Sequence, residues 1–206
     1  MIPLMLDVSK YKLLLFGAGK VGFRKLRPFK DCAAVTVISK NISDELSGVF
    51  TKEADVSEIS DADLIKLVEE HDIIIAALPD KELNKKICAA AERCLKLFNS
   101  SDGDGNFMLP AAFSDGDFTL AVSTNGKAPA VPKFIRDRVF EDFENIGEMV
   151  ALQSELRERL KKICACQEKR AEILERVLED EEIWRALSAD KEKAKDMAEI
   201  YFRDLS

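Results

Sequence analysis

The chain of 206 residues has one histidine, His71, and five scattered cysteines: Cys32, Cys88, Cys94, Cys164 and Cys166. No C-x-x-C pair occurs, so a disulfide framework and a structural zinc site are both disfavoured, and no metal site is assigned. The cysteines read as small apolar residues, buried or half-buried, with Cys164 and Cys166 on different faces of a helix. His71, just ahead of an apolar run, reads as a surface or capping residue. Cys–His and Ser–His nucleophilic centres are therefore disfavoured, and acid–base work falls to carboxylates, lysines, tyrosines or the substrate itself. Excess positive charge is missing too: 31 Lys and Arg stand against 38 Asp and Glu, a formal net charge of −7. That argues against a nucleic-acid partner, which needs concentrated basic residues. It leaves room for a small anionic substrate at a local basic cluster. No apolar run approaches the roughly 18 residues that span a bilayer, so no membrane partner is expected. The N-terminus lacks a basic region, an apolar segment and a small-residue cleavage site in series, and a cytoplasmic location is the expectation.

What is present is an ordinary globular composition, 47% apolar and 33% charged, long enough for a domain with a sizeable core plus an appendage. Its most informative stretch is Leu13-Leu14-Leu15-Phe16 followed by Gly17, Gly19 and Gly22 in the spacing G-x-G-x-x-G. A buried strand, a tight turn and a helix opening under a dinucleotide pyrophosphate need glycines at these three places. Gly17 permits the turn, Gly19 lets the backbone approach the phosphates, and Gly22 lets helix pack on strand. Lys20 and Val21 open the helix, whose unpaired N–H groups and positive dipole end suit an anion.

Strand and helix signals then alternate. Strands are expected near 12–16, 34–38, 72–78 and 95–98, with a short one at 49–54. Residues 2–6 read as an edge strand or packed arm. Helices are expected at about 21–30, where Pro28 would distort or end the first, at 41–46 with Ser43 as cap, at 61–70 and at 82–94. That alternation predicts a Rossmann-type doubly wound parallel sheet. Phe107–Phe113 and Phe118–Thr124, separated by a four-residue turn, read as a hairpin that gives the sheet antiparallel character. A helix from about Ala130 carries Val131, Phe134, Ile135, Val139, Phe143 and Ile146 at helical spacing. From Gly147 onward no glycine or proline occurs and apolar stripes continue, which predicts three or four helices. The expected division is a dinucleotide-binding domain at 1–112, a dimerisation and substrate segment at 113–146, and an all-helical domain at 147–206.

The end of the second strand is where NAD sites often place an acidic residue for the ribose. Here it carries Ser39, Lys40 and Asn41, so the choice between NAD and NADP stays open, and Lys40 would suit a 2′-phosphate. Two polar loops follow predicted strands. Asp102 and Asp104 stand in the run 99–106, where they could act as general base, hold a cation, or simply bond local N–H groups of a turn. Their D-x-D-G spacing lacks the rest of a calcium loop. Ser123, Thr124, Asn125, Gly126 and Lys127 form the second loop, with Lys133, Arg136 and Arg138 adding charge for a carboxylate or phosphate. A turn with a solvated basic helix face reads equally well.

The run Gly17 to Gly22 with Arg24-Lys25, then Ala76-Ala77-Leu78-Pro79-Asp80 and Leu83-Asn84, resembles the N-terminal family of siroheme synthases. Asn99-Ser100-Ser101-Asp102, Phe107 with Pro110-Ala111, and Ala121 to Lys127 with Pro129 extend the resemblance over about residues 1–140. It implies precorrin-2 dehydrogenases, some of them also sirohydrochlorin ferrochelatases, which oxidise precorrin-2 to sirohydrochlorin with NAD. It places the important aspartate after Asn99, at Asp102 or Asp104. It sets Ser123 and Thr124 in a substrate loop where Asn125 replaces a common glycine, and lines the cofactor site with Ala77. It further implies a homodimer. A module that senses nicotinamide without chemistry is the alternative from another class.

Overall fold

A computed structural model describes the protein over residues 1–41 and 49–205. The helix expected from Asn41 to Leu46, with its Ser43 cap, falls almost wholly outside the described residues. The chain divides into two compact units, Met1–Leu109 and Pro110–Ser206.

The first unit is built on five strands: β1 (Lys12–Phe16), β2 (Ala34–Ser39), β3 (Phe50–Glu53), β4 (Ile73–Ala76) and β5 (Leu97–Ser100). All pair in parallel, in the order β3-β2-β1-β4-β5. The two central strands are covered on both faces, which explains their unbroken apolar runs. Leu13 to Phe16 are fully buried, and Ile73 to Ala76 nearly so. Alternate residues feed opposite layers. Leu14, Phe16, Ile74 and Ala76 pack with Leu64, Val68, Ile87 and Ala91 from one side, whereas Leu13, Leu15, Ile73 and Ile75 pack with Phe29 and Val37 on the other.

Among the described residues three α-helices complete the unit: α1 (Lys20–Leu26), α2 (Asp61–Glu69) and α3 (Lys81–Arg93). Pro28 has no N–H to continue α1, which passes into a single 3-10 turn at Arg27–Phe29 and stops short of the expected Lys30. Ser60 caps α2 by accepting from the Asp63 amide at 3.2 Å, and Asp80 caps α3 by accepting from Glu82 and Leu83 at 2.8 and 3.1 Å.

Several local expectations need correction. Among the described residues, 2–6 pair with no strand, and Ile2, Leu4 and Met5 stand at least 75% exposed. Pro3 removes a donor there, and the apolar residues do not alternate. β5 starts two residues late because Leu95 is left-handed (φ 54°) and exposed. His71 is buried: its Nδ1 donates to the Leu67 carbonyl (2.7 Å), so in the neutral ring Nε2 accepts from the Thr36 hydroxyl (3.0 Å). It caps the end of α2 from the inside.

The second unit opens with a hairpin, β6 (Ala111–Asp115) and β7 (Phe118–Val122), turned by only two residues, Gly116 and Asp117. The hairpin forms its own two-stranded sheet rather than extending the parallel one. Phe107 is no strand residue; it packs edge-on against Phe29 in the first unit. Helices α4 (Ala130–Asp142), α5 (Ile146–Ile163), α6 (Gln167–Glu179), α7 (Glu181–Ala189) and α8 (Lys191–Glu199) follow. The left-handed Asn145 (φ 64°) separates α4 from α5, so Phe143 and Ile146 do not continue the α4 stripe. Met149, Leu152, Leu156, Val177, Ile183, Leu187 and Ala194 form the helical core. Asp180 and Asp190 cap α7 and α8. Cys164 and Cys166 lie in the link between α5 and α6 rather than in a helix, and Cys166 is exposed. Of the α4 stripe, Val131, Phe134, Ile135 and Phe143 are between 40% and 70% exposed and Val139 is half-buried, so the stripe is not a fully buried face.

Candidate active site

The glycine turn joins β1 to α1 at the carboxyl edge of the parallel sheet. Gly17 has φ 98° and donates to the Ile38 carbonyl at 2.9 Å, which ties the turn to β2. A Cβ there would lie 2.5 Å from the Ala77 carbonyl oxygen, so Ala77 forms the turn's wall. Ala77 is itself anchored by its N–H on the Phe16 carbonyl at 2.8 Å. A Cβ on Gly22 would lie 2.0 Å from the Gly17 carbonyl oxygen; the helix can start this close to the strand only with glycine. Gly19 differs: a Cβ would meet nothing within 4 Å, so its backbone faces open space at the start of α1. Lys20 and Val21 follow in the first turn of that helix. Open backbone at a helix N-terminus is the cradle that a pyrophosphate needs, so the residues fit a dinucleotide.

At the end of β2, the Ser39 hydroxyl accepts from the Ala18 amide at 3.2 Å and so supports the turn. Lys40 pairs with Asp55 at 2.7 Å. The Lys40 ammonium first, then the Ser57 hydroxyl and amide, hold the Asp55 carboxyl down at about 2. The strand end that lacks an acidic residue in sequence thus has one in space. Asn41 is exposed beside them.

The ends of β4 and β5 carry the densest polar arrangement. The side chain of Asn84, on α3, is buried; its Oδ1 accepts from the Leu78 amide at 3.0 Å. Its Nδ2 faces the Leu78 carbonyl (2.9 Å), the Ser101 hydroxyl (3.2 Å) and an Asp102 carboxylate oxygen (2.7 Å). Ser100 accepts from the Asp102 amide at 3.1 Å. Asp104 enters the loop through its backbone, its carbonyl accepting from the Ser100 amide at 2.7 Å. Lys25, in the last turn of α1, donates to the Asn99 side-chain oxygen and to the Ser100 carbonyl at 3.1 Å. Burial first, then Arg24, lowers the Lys25 ammonium from its ordinary range. Burial, and next the field of Asp104, pushes the Cys88 thiol up to about 11 against a hydrogen bond from Ser100.

The remaining expected residues lie in the second unit. Asn125 (φ 52°) and Gly126 (φ 77°) are both left-handed, which explains an asparagine where glycine is common. The Ser123 hydroxyl accepts from the Asn125 amide, and Thr124 Oγ1 from the Ala128 amide, each at 3.1 Å. The Lys127 amide donates to the Thr124 carbonyl. Arg136 is ion-paired with its neighbour Asp137. A bound carboxylate would have to compete with that pair.

The first unit therefore brings together the glycine turn, Ser39, Ala77 and Asp102. Reading residue types alone misses Lys25, Asn84 and Asp55 as parts of this site. Asn84 does leave a trace: it is a polar residue on the α3 face that also holds Ile87 and Ala91.

A parallel sheet with a glycine turn at its carboxyl edge defines a dinucleotide-binding fold, and here a carboxylate stands two strands away. The family model described as "Putative NAD(P)-binding" matches residues 4–111. The precorrin-2 dehydrogenase of Methanosarcina barkeri is 37% identical over 205 residues, covering 96% of this chain and 91% of that protein. That of Priestia megaterium is 26% identical over 188 residues, covering 88% and 91%. Siroheme synthase 1 of Klebsiella pneumoniae is 27% identical over 183 residues, 85% of this chain but 38% of that protein. Among solved structures, SirC, a precorrin-2 dehydrogenase, superposes with a TM-score of 0.72 at 23% identity, covering 98% of this chain and 100% of that one. The chain belongs to the precorrin-2 dehydrogenase family, and its fold is the one that resemblance predicts.

Proposed function

We propose that this protein oxidises precorrin-2 to sirohydrochlorin with NAD⁺. Precorrin-2 loses a hydride and a proton, and the products are sirohydrochlorin, NADH and H⁺. The observation that carries the reading is the Asp102 carboxylate, held by Asn84 in the same unit as the glycine turn. NAD, when bound, supplies the hydride acceptor. The backbone of Gly17 to Gly22 and the N-terminus of α1 would hold its pyrophosphate, and Ser39, Lys40 and Asn41 would meet its ribose. Asp102 takes the proton, because its carboxylate is fixed by a side-chain hydrogen bond while Asp104 joins the loop through its backbone. Segment 113–146 supplies substrate contacts: Ser123, Thr124, Asn125, Gly126, Lys127 and Arg136 meet the carboxylates of the tetrapyrrole. Hydride transfer depends on positioning more than on a nucleophile, which suits a chain with one histidine.

The protein acts as a homodimer. The exposed apolar side chains of residues 1–6 and of α4 support this, since they are the surface a second copy would cover. The proposed setting is the cytoplasm. Among the described residues no helix is long and apolar enough to cross a membrane.

The test supplies precorrin-2 with NAD⁺ or NADP⁺ and follows NADH absorbance together with the sirohydrochlorin spectrum. No turnover with either nicotinamide refutes the reading. Asp102→Ala is expected to slow oxidation by on the order of 10²-fold or more and Asp104→Ala far less. Adding Fe²⁺ or Co²⁺ to sirohydrochlorin is expected to leave the metal-free spectrum unchanged; metal insertion would make the protein bifunctional. Light scattering on a sizing column checks the dimer.

A further inference from the structure

Asn84 is a buried amide on a helix face otherwise given to Ile87, Cys88, Ala90 and Ala91. An apolar side chain there would avoid the cost of burying an amide, which is tolerated only when the group is fully bonded. Asn84 is fully bonded, and its partners lie on two segments. Leu78, after β4, is gripped through both its amide and its carbonyl. Ser101 and Asp102, after β5, are reached by the same Nδ2. The shortest of these contacts is the one to the Asp102 carboxylate, 2.7 Å, as a charge-assisted bond should be. Leu78 directly follows Ala77, whose carbonyl walls the glycine turn. One side chain thus spans from the wall of the cofactor turn to the carboxylate on the substrate side.

We propose that Asn84 is a positioning residue: its amide aims the Asp102 carboxylate and fixes it relative to the cofactor turn. The inference rests on Asp102 serving as base in precorrin-2 oxidation. Without the amide donor, an exposed aspartate on a loop samples several rotamers, and a base displaced by about an ångström costs on the order of 10²-fold in rate.

The experiment measures kcat/KM for precorrin-2 across pH, with NAD⁺ saturating, for wild type, Asn84→Ala and Asn84→Asp, alongside thermal midpoints. Asn84→Ala is expected to lose roughly 10- to 100-fold in kcat, with KM for NAD⁺ moving much less. Asn84→Asp is the sharper probe. Its carboxyl can still accept from Leu78, but it donates to Asp102 only while protonated. The pair then works with one shared proton, and the pH–rate profile gains a falling alkaline limb that wild type lacks. A clamp that served stability alone would lower the midpoint of both variants without adding that limb. The inference is overturned if Asn84→Asp keeps the wild-type profile, or if Asn84→Ala keeps kcat within about twofold. Should Asn84→Ala fail to fold, the nearly isosteric Asn84→Asp carries the test. An inactive wild type refutes the dehydrogenase reading and this inference together; an active wild type with unchanged variants refutes only the role of Asn84.

Discussion

Two glycines in the same turn make opposite demands, and alanine substitution separates them. A Cβ on Gly22 would lie 2.0 Å from the oxygen of Gly17 and 3.2 Å from its carbon. Both are backbone atoms, so no rotamer relieves the clash and helix must part from turn by about an ångström. Overpacking costs roughly 1–3 kcal/mol, and a backbone clash belongs at the upper end. For a chain of this size each kcal/mol moves the midpoint by about 2–4 °C, so Gly22→Ala is expected to lower the apo midpoint by roughly 5–10 °C. Gly19→Ala meets nothing within 4 Å, and its φ of −80° and ψ of 177° suit any residue. Lost freedom in the unfolded chain stabilises by about 0.4–1 kcal/mol, against a comparable loss of N-cap preference. Its apo midpoint should therefore stay near wild type, while the added methyl occupies the space where phosphates approach. Calorimetry of the apo forms and NADH fluorescence titrations read the two effects. NADH affinity is expected to fall at least about tenfold in Gly19→Ala, where one lost contact is worth 1.4 kcal/mol. If Gly19→Ala destabilised the apo chain as much as Gly22→Ala, or bound NADH like wild type, the division of labour in the turn would be wrong.

Three further outcomes follow from the same geometry. The Cys88 thiol is raised from 9.0 to about 11, so its contribution to stability is full below pH 9 and disappears as pH climbs toward 11. That is a loss on the order of 3 kcal/mol at most; Cys88→Ala should flatten it in urea unfolding across that window, and parallel curves would exclude Cys88 as the cause. Lys25→Met removes the donor shared by Asn99 and Ser100, costs about 1–3 kcal/mol, and should lower both midpoint and turnover; an unchanged midpoint would mean that the tether does not hold the loop. Asp55→Asn releases the Lys40 ammonium and should raise kcat/KM for NADP⁺ relative to NAD⁺ by several-fold, whereas a constant ratio would remove that pair from cofactor choice.

Much of the first unit is legible because its signals are periodic and local. Fully buried central strands need continuous apolar runs, and Leu13–Phe16 and Ile73–Ala76 show them. The glycine spacing works because Gly17 and Gly22 answer contacts one strand or a few residues away, while Gly19 keeps the start of the helix open. Contacts distant in sequence are harder to read. Asp55 reaches Lys40 because β3 pairs with β2, and no spacing rule encodes that pairing. His71 looked superficial because its partner, Thr36, lies across the sheet layer. The hairpin illustrates the limit of turn chemistry: Ser-Asp-Gly-Asp reads as a four-residue turn, yet Ser114 pairs with Thr119 and Asp115 with Phe118, leaving only two residues to turn. The α4 stripe has helical spacing, yet among the described residues Val131, Phe134, Ile135 and Phe143 stay exposed, since periodicity announces an apolar face without naming what covers it.

The distribution of buried polar side chains supports the proposed site independently of any motif. In the first unit the buried polar residues among those described are His71, Asn84, Asn99 and Ser100. His71 serves α2 and β2, but the other three converge where β5 ends. Asn99 takes the Lys25 ammonium and donates to Phe107; Ser100 meets the Asp102 amide; Asn84 meets the Asp102 carboxylate. No buried side-chain polar atom among the described residues is left without a partner. A fully satisfied polar network in a low-dielectric setting is rigid, because each bond lost there costs more than it would in water. Rigidity at one end of one strand is of little use to folding, for which apolar packing is cheaper. It is what the proton acceptor proposed at Asp102 needs if it is to act at a fixed distance from a carbon that gives up a hydride.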